Sequence, residues 1–368
     1  MESEIQIEDQ YGNQIEKPVS RESENSQIEL EEMAYSPYMD LFFPFMIHEE
    51  HRLSEQAIVL AGLSVQHRKR KAILKQFDLS DDSKAFKKEL EVLALIQLHE
   101  AQQQPGGLPE LLGFAFGINE GRAELLMSHC GIDLNQAWLP YMESRSAARS
   151  IEFKLKVTDM AQQVLSALQK LHRVGFCHWD IKLDNICIED GYYYMIDFAF
   201  AQRINSTPSR YIKHFKGNSM FSSIRKFNMH PTAGPVDDIE SLLYLICFCM
   251  DEFYLPWLQD YINQTSTNQF IENRLKKKER HHQYLYQRMP GPLSAALKYI
   301  HRLNERNSKN LPLKSAGSEN NKFNSNQSKL EQQPNCEYII GLFDQLRDEL
   351  NKEQDQKKSG SGYNNDKN

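Results

Sequence analysis

The sequence predicts an α+β protein: a small β-rich part with one helix, followed by a larger helical part. Three observations predict it. Between Ala57 and about residue 130, short apolar runs alternate with turn residues, and helical spacing occurs in one place only. Beyond Cys130-Gly131 the apolar residues recur at helical spacing, most clearly from Phe153 to Val174. Directly after that helix comes HWDIKLDNICIEDGYYYMID (His178 to Asp197), which reads as a loop, a short strand, an Asp190-Gly191 turn and a second strand.

The 368 residues suffice for one such domain of roughly 250 to 300 residues with tails, or for two ordinary domains. Hydrophobic content of 40% and charged content of 25% are ordinary for a globular chain. The net charge of −7 lacks the basic excess that nucleic-acid binding calls for, so no nucleic-acid partner is expected. Cys130, Cys177, Cys187, Cys247, Cys249 and Cys336 form no CxxC pair, which argues against zinc ribbons and thiol redox motifs. Buried reduced thiols fit a cytoplasmic or nuclear protein. The start, MESEIQIEDQ, is acidic and lacks the apolar centre of a signal peptide, and Leu242 to Met250 is too short to span a bilayer. A soluble monomer without a membrane span is the expectation.

Residues 1–33 are rich in Glu, Gln, Asn and Ser and read as disordered. Ala34 to Ile47 (AYSPYMDLFFPFMI) is densely aromatic and reads as an arm packed on the domain, with a docking element as the alternative. The domain itself is expected over residues 34–350, its small part at about 50–130 and its large part at 131–350. AIVLAGLSV from Ala57 and AILKQF (Ala72 to Phe77) flank the charged turn QHRKRK and make a hairpin. Ser80-Asp81-Asp82-Ser83 offers helix caps, and Phe86, Leu90, Leu93, Ala94 and Ile96 supply the apolar stripe of the one early helix. Pro105, Gly106-Gly107 and Pro109 end that helix, and LLGFAFGI and RAELLMSH form a second hairpin around Asn119-Glu120-Gly121. After the central stretch come a polar loop (Ile204 to Ser219), an apolar helix from Ile239 to Met250, and amphipathic segments around Phe270 to Met289 and Leu293 to Leu303. Residues 304–333, dominated by Asn, Ser, Lys and Gln, read as a low-complexity insertion. Tyr338 to Leu350 returns to helical spacing, and residues 351–368 read as a flexible tail. The basic run from Lys276 to His282 reads as a solvated helix face, with an anion-binding or nuclear signal as the alternative.

The central stretch sets Asp180, Lys182, Asn185 and Asp197 in a loop-strand-turn-strand frame. Phosphoryl transfer wants such a set: one carboxylate orients a hydroxyl nucleophile, an amide and a second carboxylate hold divalent metal, and a cation offsets phosphoryl charge. The stretch resembles the catalytic loop and metal-binding segment of eukaryotic protein kinases. The resemblance implies a two-lobed protein-kinase-like fold, ATP and Mg2+ as cofactors, and protein Ser/Thr hydroxyls as substrates. It makes Asp180 the residue that orients the substrate hydroxyl, Lys182 the stabiliser of the γ-phosphate, and Asn185 and Asp197 the metal ligands. Lys75 in AILKQF resembles the lysine that contacts the nucleotide phosphates; its partner would be Glu89, with Glu91 as the alternative. Ile58 and Ala72 would line the nucleotide site, Met127 would be the gatekeeper, and Ser128 to Gly131, with Ser128 and Cys130 foremost, the adenine-binding hinge. GNSMFSS (Gly217 to Ser223), DDIESLLYLI (Asp237 to Ile246), Leu255-Pro256-Trp257 and PNCEYIIGLF (Pro334 to Phe343) are similar to segments of the casein kinase 1 family. That similarity makes Asp238 the buried aspartate that braces the catalytic loop.

The pattern departs from the family at named places. HRLSEQ (His51 to Gln56) stands where a glycine-rich phosphate-covering loop is expected, and it has no glycine to let the backbone approach phosphates. Ala199 replaces the glycine of the metal segment, and a positive φ there would be disfavoured for Ala. Trp179 replaces the arginine that pairs with a phosphorylated loop, which argues against switching by loop phosphorylation. Met220 replaces an arginine of the family segment, which argues against preference for pre-phosphorylated substrates. Two functions therefore stand side by side: a casein kinase 1-like Ser/Thr kinase, and a pseudokinase scaffold that keeps the fold without the phosphate loop. A small-molecule kinase with the same loop is a third, against which GNSMFSS and DDIESL argue.

Overall fold

The structure is a computed structural model that describes residues 45–54, 57–64, 70–100, 107–117, 121–204, 218–227, 234–258, 281–309 and 333–361. The early tail, most of the aromatic arm, Glu55-Gln56, the polar loop up to Gly217 and most of the basic run lie outside them. The first lobe is a five-stranded antiparallel sheet of β1 (Phe45–Ser54), β2 (Ala57–Ser64), β3 (Arg70–Asp78), β4 (Leu111–Gly117) and β5 (Arg122–Ser128), in the order β1-β2-β3-β5-β4. The sheet starts at Phe45, inside the predicted arm and ahead of the predicted lobe boundary near residue 50. Phe45 to Ile47 pair with Gly62 to Ser64, so the end of the aromatic segment is an outer strand.

The alternation of β3 decides where its lysine goes. Ala72 and Leu74 are fully buried in a small cluster with Leu60, Leu112 and Leu126 on one face of the sheet. Ile73 and Phe77 face the other way, against α1 (Ser83–Glu100), and Lys75 lies between them on that side. In α1, Phe86, Glu89, Leu93 and Ile96 share the buried face, since residues three and four apart stack on a helix. One carboxylate, Glu89, is thereby carried into an apolar interface.

The second lobe is built on α5 (Ile151–Arg173), reached through three short helices, α2 (Leu134–Ala137), α3 (Leu139–Glu143) and α4 (Arg145–Ala148). Ser150 caps α5, its hydroxyl accepting the Phe153 N–H at 3.1 Å. A short ladder of β6 (Ile132–Asp133), β8 (Ile186–Glu189) and β9 (Tyr192–Met195) follows, with β7 (Phe176–Cys177) paired to β10 (Gln202–Arg203). Beneath them lie α6 (Ile224–Phe227), α7 (Pro235–Met250), α8 (281–288), α9 (Gly291–Lys309) and α10 (Cys336–Ser361). Every residue of α7 except Phe248 is buried, so this helix is the axis on which the others pack.

Two helices run past their predicted ends. The low-complexity insertion predicted from residue 304 begins later, because α9 continues to Lys309 with Asn304 and Asn307 buried on the stripe that also holds Leu293, Leu297 and Ile300. Asn304 is retained there by its Nδ2 donating to buried Glu240. The flexible tail predicted from residue 351 is helical to Ser361, because no proline interrupts it, its Lys, Glu and Gln favour helix, and Glu353 pairs with Lys357 at 2.8 Å. The remainder of the predicted insertion lies outside the described residues.

A polar network sits inside this helical core. Tyr244 donates to Glu240 Oε1 at 2.8 Å, so its oxygen accepts from His301 Nε2–H at 3.0 Å, which leaves His301 Nδ1 to accept from Tyr286 at 2.6 Å. His282 stacks on His301 with 3.7 Å between ring centroids. Burial lowers the His301 pKa from 6.5 to about 3, so the ring is neutral. The unfolded chain takes up this proton below pH 6.5 and the folded chain resists until about 3. Stability is therefore full above 6.5 and falls with pH below it, by about 1.4 kcal/mol per pH unit from this group. Thermal melts at about pH 7.5 and about pH 5 should show the loss, and it should be smaller in His301→Gln.

Candidate active site

The site forms where the lobes meet. Lys75 Nζ stands 2.8 Å from Glu89 Oε2 and 3.0 Å from Asp197 Oδ1, with Glu89 almost fully buried. Burial pulls the Lys75 pKa down, but the Asp197 and Glu89 carboxylates more than offset it and hold the ammonium charged well above its ordinary range. Burial pushes Asp197 up, and Lys75 more than reverses this, keeping Asp197 an anion. The choice between Glu89 and Glu91 follows from the helix face: Glu91 points outward and pairs with Arg203 instead.

Asp180 is buried and bonded through both oxygens. Oδ1 accepts the Asn218 N–H at 2.6 Å, and Oδ2 accepts Asn185 Nδ2 at 2.9 Å and lies 3.2 Å from Lys182 Nζ. Asn185 Nδ2 also donates to the Asp180 carbonyl at 2.8 Å. This double donation fixes the amide and leaves its Oδ1 as the ligand end. Asn185 and Asp197 are tied together by the Ile196 N–H, which donates to the Asn185 carbonyl at 3.0 Å.

The loop that carries Asp180 hangs from Asp238 of α7. Asp238 Oδ2 accepts the His178 N–H at 2.7 Å and lies 2.9 Å from His172 Nε2, while Oδ1 accepts the Trp179 N–H at 2.9 Å. Burial raises the Asp238 pKa, but the His172 bond and its charge outweigh that, so the carboxyl stays ionised. The Asp180 N–H donates to His178 Nδ1 at 3.3 Å, which leaves Nε2–H to donate to the Ile196 carbonyl at 3.0 Å. His178 thereby joins the Asp180 loop to the Asp197 segment.

The positive φ angles of this region fall on Trp179 (66°) and Asp197 (65°), and Ala199 is not among the left-handed residues. Ala199 is thus outside the left-handed region that alanine disfavours, and the left-handed residue of the segment is Asp197. Phe198 behind it is fully buried.

At the hinge, Ala72 pairs with Ser128 and Ile73 with Met127, so β3 and β5 bring Ala72, Met127 and Ser128 to one end of the sheet. Cys130 Sγ is 3.5 Å from the Ser128 carbonyl, and burial pushes its thiol pKa up to about 12, which makes it inert. Gly131 has φ 85°, and a Cβ there would lie 1.9 Å from the Ile188 carbonyl oxygen, so only glycine fits. Ile58 lies in β2 opposite Gln76, but its side chain is outside the described set. The β1–β2 pairing ends with Ser54 opposite Ala57. Sequence reasoning missed Asn218 and Lys226. Asn218 acts through its backbone, which no side-chain pattern reveals, and Lys226 in IRKF carries no signal of burial.

A family model of the protein kinase domain matches residues 138–237, which run from the residue before α3 to the first turn of α7 and include the Asp180 loop. The solved structure of vaccinia related kinase 3 superposes with a TM-score of 0.58 at 16% identity, covering 88% of this chain and 94% of that one. The fold is that of a protein kinase. Among curated relatives, the serine/threonine-protein kinase pakA of Talaromyces marneffei is 34% identical over 87 residues, 22% of this chain and 13% of the relative. The casein kinase 1-like protein HD16 of Oryza sativa subsp. japonica is 27% identical over 146 residues, 36% of this chain and 19% of the relative. The chain thus spans under a fifth of the length of either relative. In this kinase fold the anion that suspends the catalytic-type loop is Asp238. Asp238→Asn should cost about 3 kcal/mol of stability, since one acceptor oxygen becomes a donor facing buried donors; urea unfolding midpoints measure it.

Proposed function

We propose that the chain is an ATP-dependent serine/threonine protein kinase of the casein kinase 1-like type. The observation that carries this reading is the convergence of Glu89 and Asp197 on Lys75 beside an Asp180 bonded to Asn185 and Lys182. Asn185 Oδ1 and the Asp197 carboxylate are hard oxygen donors on adjoining backbone, which fits Mg2+. When bound, Mg2+ would neutralise charge on the nucleotide phosphates. Lys75, charged by its two carboxylates, would meet the α- and β-phosphates. Asp180, with lone pairs beyond the bonds it already accepts, would orient a seryl or threonyl hydroxyl and take its proton. Lys182, about a quarter exposed and held beside Asp180, would offset charge on the moving phosphoryl group.

One observation favours a second reading, a pseudokinase scaffold. β1 and β2 pair up to Ser54 and Ala57, and the stretch HRLSEQ (His51 to Gln56) contains no glycine, where a phosphate loop needs close backbone approach. Incubation of the purified protein with Mg-ATP and casein separates the readings. Labelled phosphate should enter casein or the protein itself, and Asp180→Asn or Lys75→Met should lower incorporation by about a hundredfold or more. Incorporation unchanged in Asp197→Asn would refute the site. No incorporation together with no thermal shift on Mg-ATP would establish the scaffold.

A further inference from the structure

Trp179 stands where the resemblance leads one to expect an arginine, and its backbone is left-handed, a strained conformation for a bulky residue. Both ends of that residue are held. Its N–H goes to Asp238 Oδ1, and its carbonyl accepts Lys226 Nζ. The same ammonium lies 5.2 Å from the centroid of the Trp179 ring, at cation–π distance. The ring packs on Cys177 and Ile204, and its own Nε1–H is buried without a hydrogen-bond acceptor among the described residues. Packing and the ammonium, not the indole N–H, therefore set its orientation.

Lys226 is itself built in. It belongs to α6, it is buried, and its N–H donates to Ser223 Oγ at 3.1 Å. Ser223 Oγ in turn donates to Asp237 Oδ1 of α7 at 2.7 Å. The clamp thus connects α6, α7 and the loop that ends in Asp180.

We propose that Lys226 is a positioning residue for Asp180: its ammonium, on the carbonyl and ring face of Trp179, holds the strained peptide that presents the carboxylate, so no phosphorylated loop is required to order it. The consequence for turnover rests on the kinase reading; the consequence for loop order does not. The charged groups facing Lys226 are Asp180 and Lys182 from the loop and Asp237 and Asp238 from α7. Burial lowers its pKa to about 8 against the pull of those carboxylates. The clamp is therefore charged at neutral pH and weakens as pH rises through 8.

Hydrogen–deuterium exchange of the segment 176–181 in the full chain tests this, with Lys226→Met and Lys226→Arg beside the wild type. Lys226→Met should speed exchange there by about tenfold or more, with urea midpoints separating local from global loosening. Lys226→Arg, which keeps the cation, should retain protection. In the kinase assay kcat should fall about tenfold in Lys226→Met with KM for ATP within about twofold. The wild-type kcat should decline with a midpoint near pH 8, and the decline should move to higher pH in Lys226→Arg. Wild-type exchange rates in Lys226→Met overturn the proposal. Should Lys226→Met fail to fold, the Trp179 emission, taken as wild type minus Trp179→Phe, decides: a transition near pH 8 supports the clamp and none overturns it. Absence of phosphoryl transfer in the wild type would remove the kinase reading and leave the exchange result to judge Lys226.

Discussion

The structure depends on one buried anion. Asp238 has almost no contact with water, and an unmatched carboxylate there would cost several kcal/mol. It is matched by the ring of His172 at the end of α5 and by the successive amides of His178 and Trp179. Those amides belong to the loop that carries Asp180. Since α7 is enclosed by its neighbours, the anion cannot shift, and the loop inherits its rigidity from a helix that takes no part in chemistry. The requirement to satisfy a charge thereby becomes a requirement on geometry.

A second charge system works across the lobes. Lys75 comes from the sheet, Glu89 from α1 and Asp197 from the segment after β9, so one ammonium gathers three separate parts of the chain. Two residues of the site, Trp179 and Asp197, occupy left-handed backbone without being glycine. Such strain persists only where surroundings over-determine it. Here the surroundings are visible: Asp238 and Lys226 hold one peptide, and Lys75 and the His178–Ile196 bond hold the other.

How much of this could be read from the sequence differs by the range of the interaction. The hairpins, the long α5 and the buried α7 were legible because alternation and helical spacing are local signals. Glu89 was legible because its spacing from Phe86 and Leu93 puts it on the apolar face, whereas Glu91 does not share it. Asn304 and Asn307 were misread, because in a stretch rich in Asn composition outweighs position, although both continue the buried stripe of α9. Residues beyond 350 were misread as tail because polarity was taken for disorder, when exposed Lys, Glu and Gln are good helix formers. Lys226 and the Asn218 amide were illegible, since their roles exist only once α6 is folded against the catalytic-type loop. The left-handed backbone of Asp197 was not legible, since the sequence does not say which residue of a turn takes the positive φ.

Gly131 has no functional group, yet it has leverage over those that do. The hinge passes so close to the Ile188 carbonyl that a single methyl could enter only by displacing β8. Asn185 immediately precedes β8, and β9, its hydrogen-bonded partner, leads into Asp197. The crossing of hinge and strand acts as a gauge block: its thickness, one hydrogen atom in place of a side chain, sets the spacing between the linker of the lobes and the pair of candidate metal ligands. A change at this chemically silent position would register as a displacement of those two candidate ligands rather than as a loosened hinge.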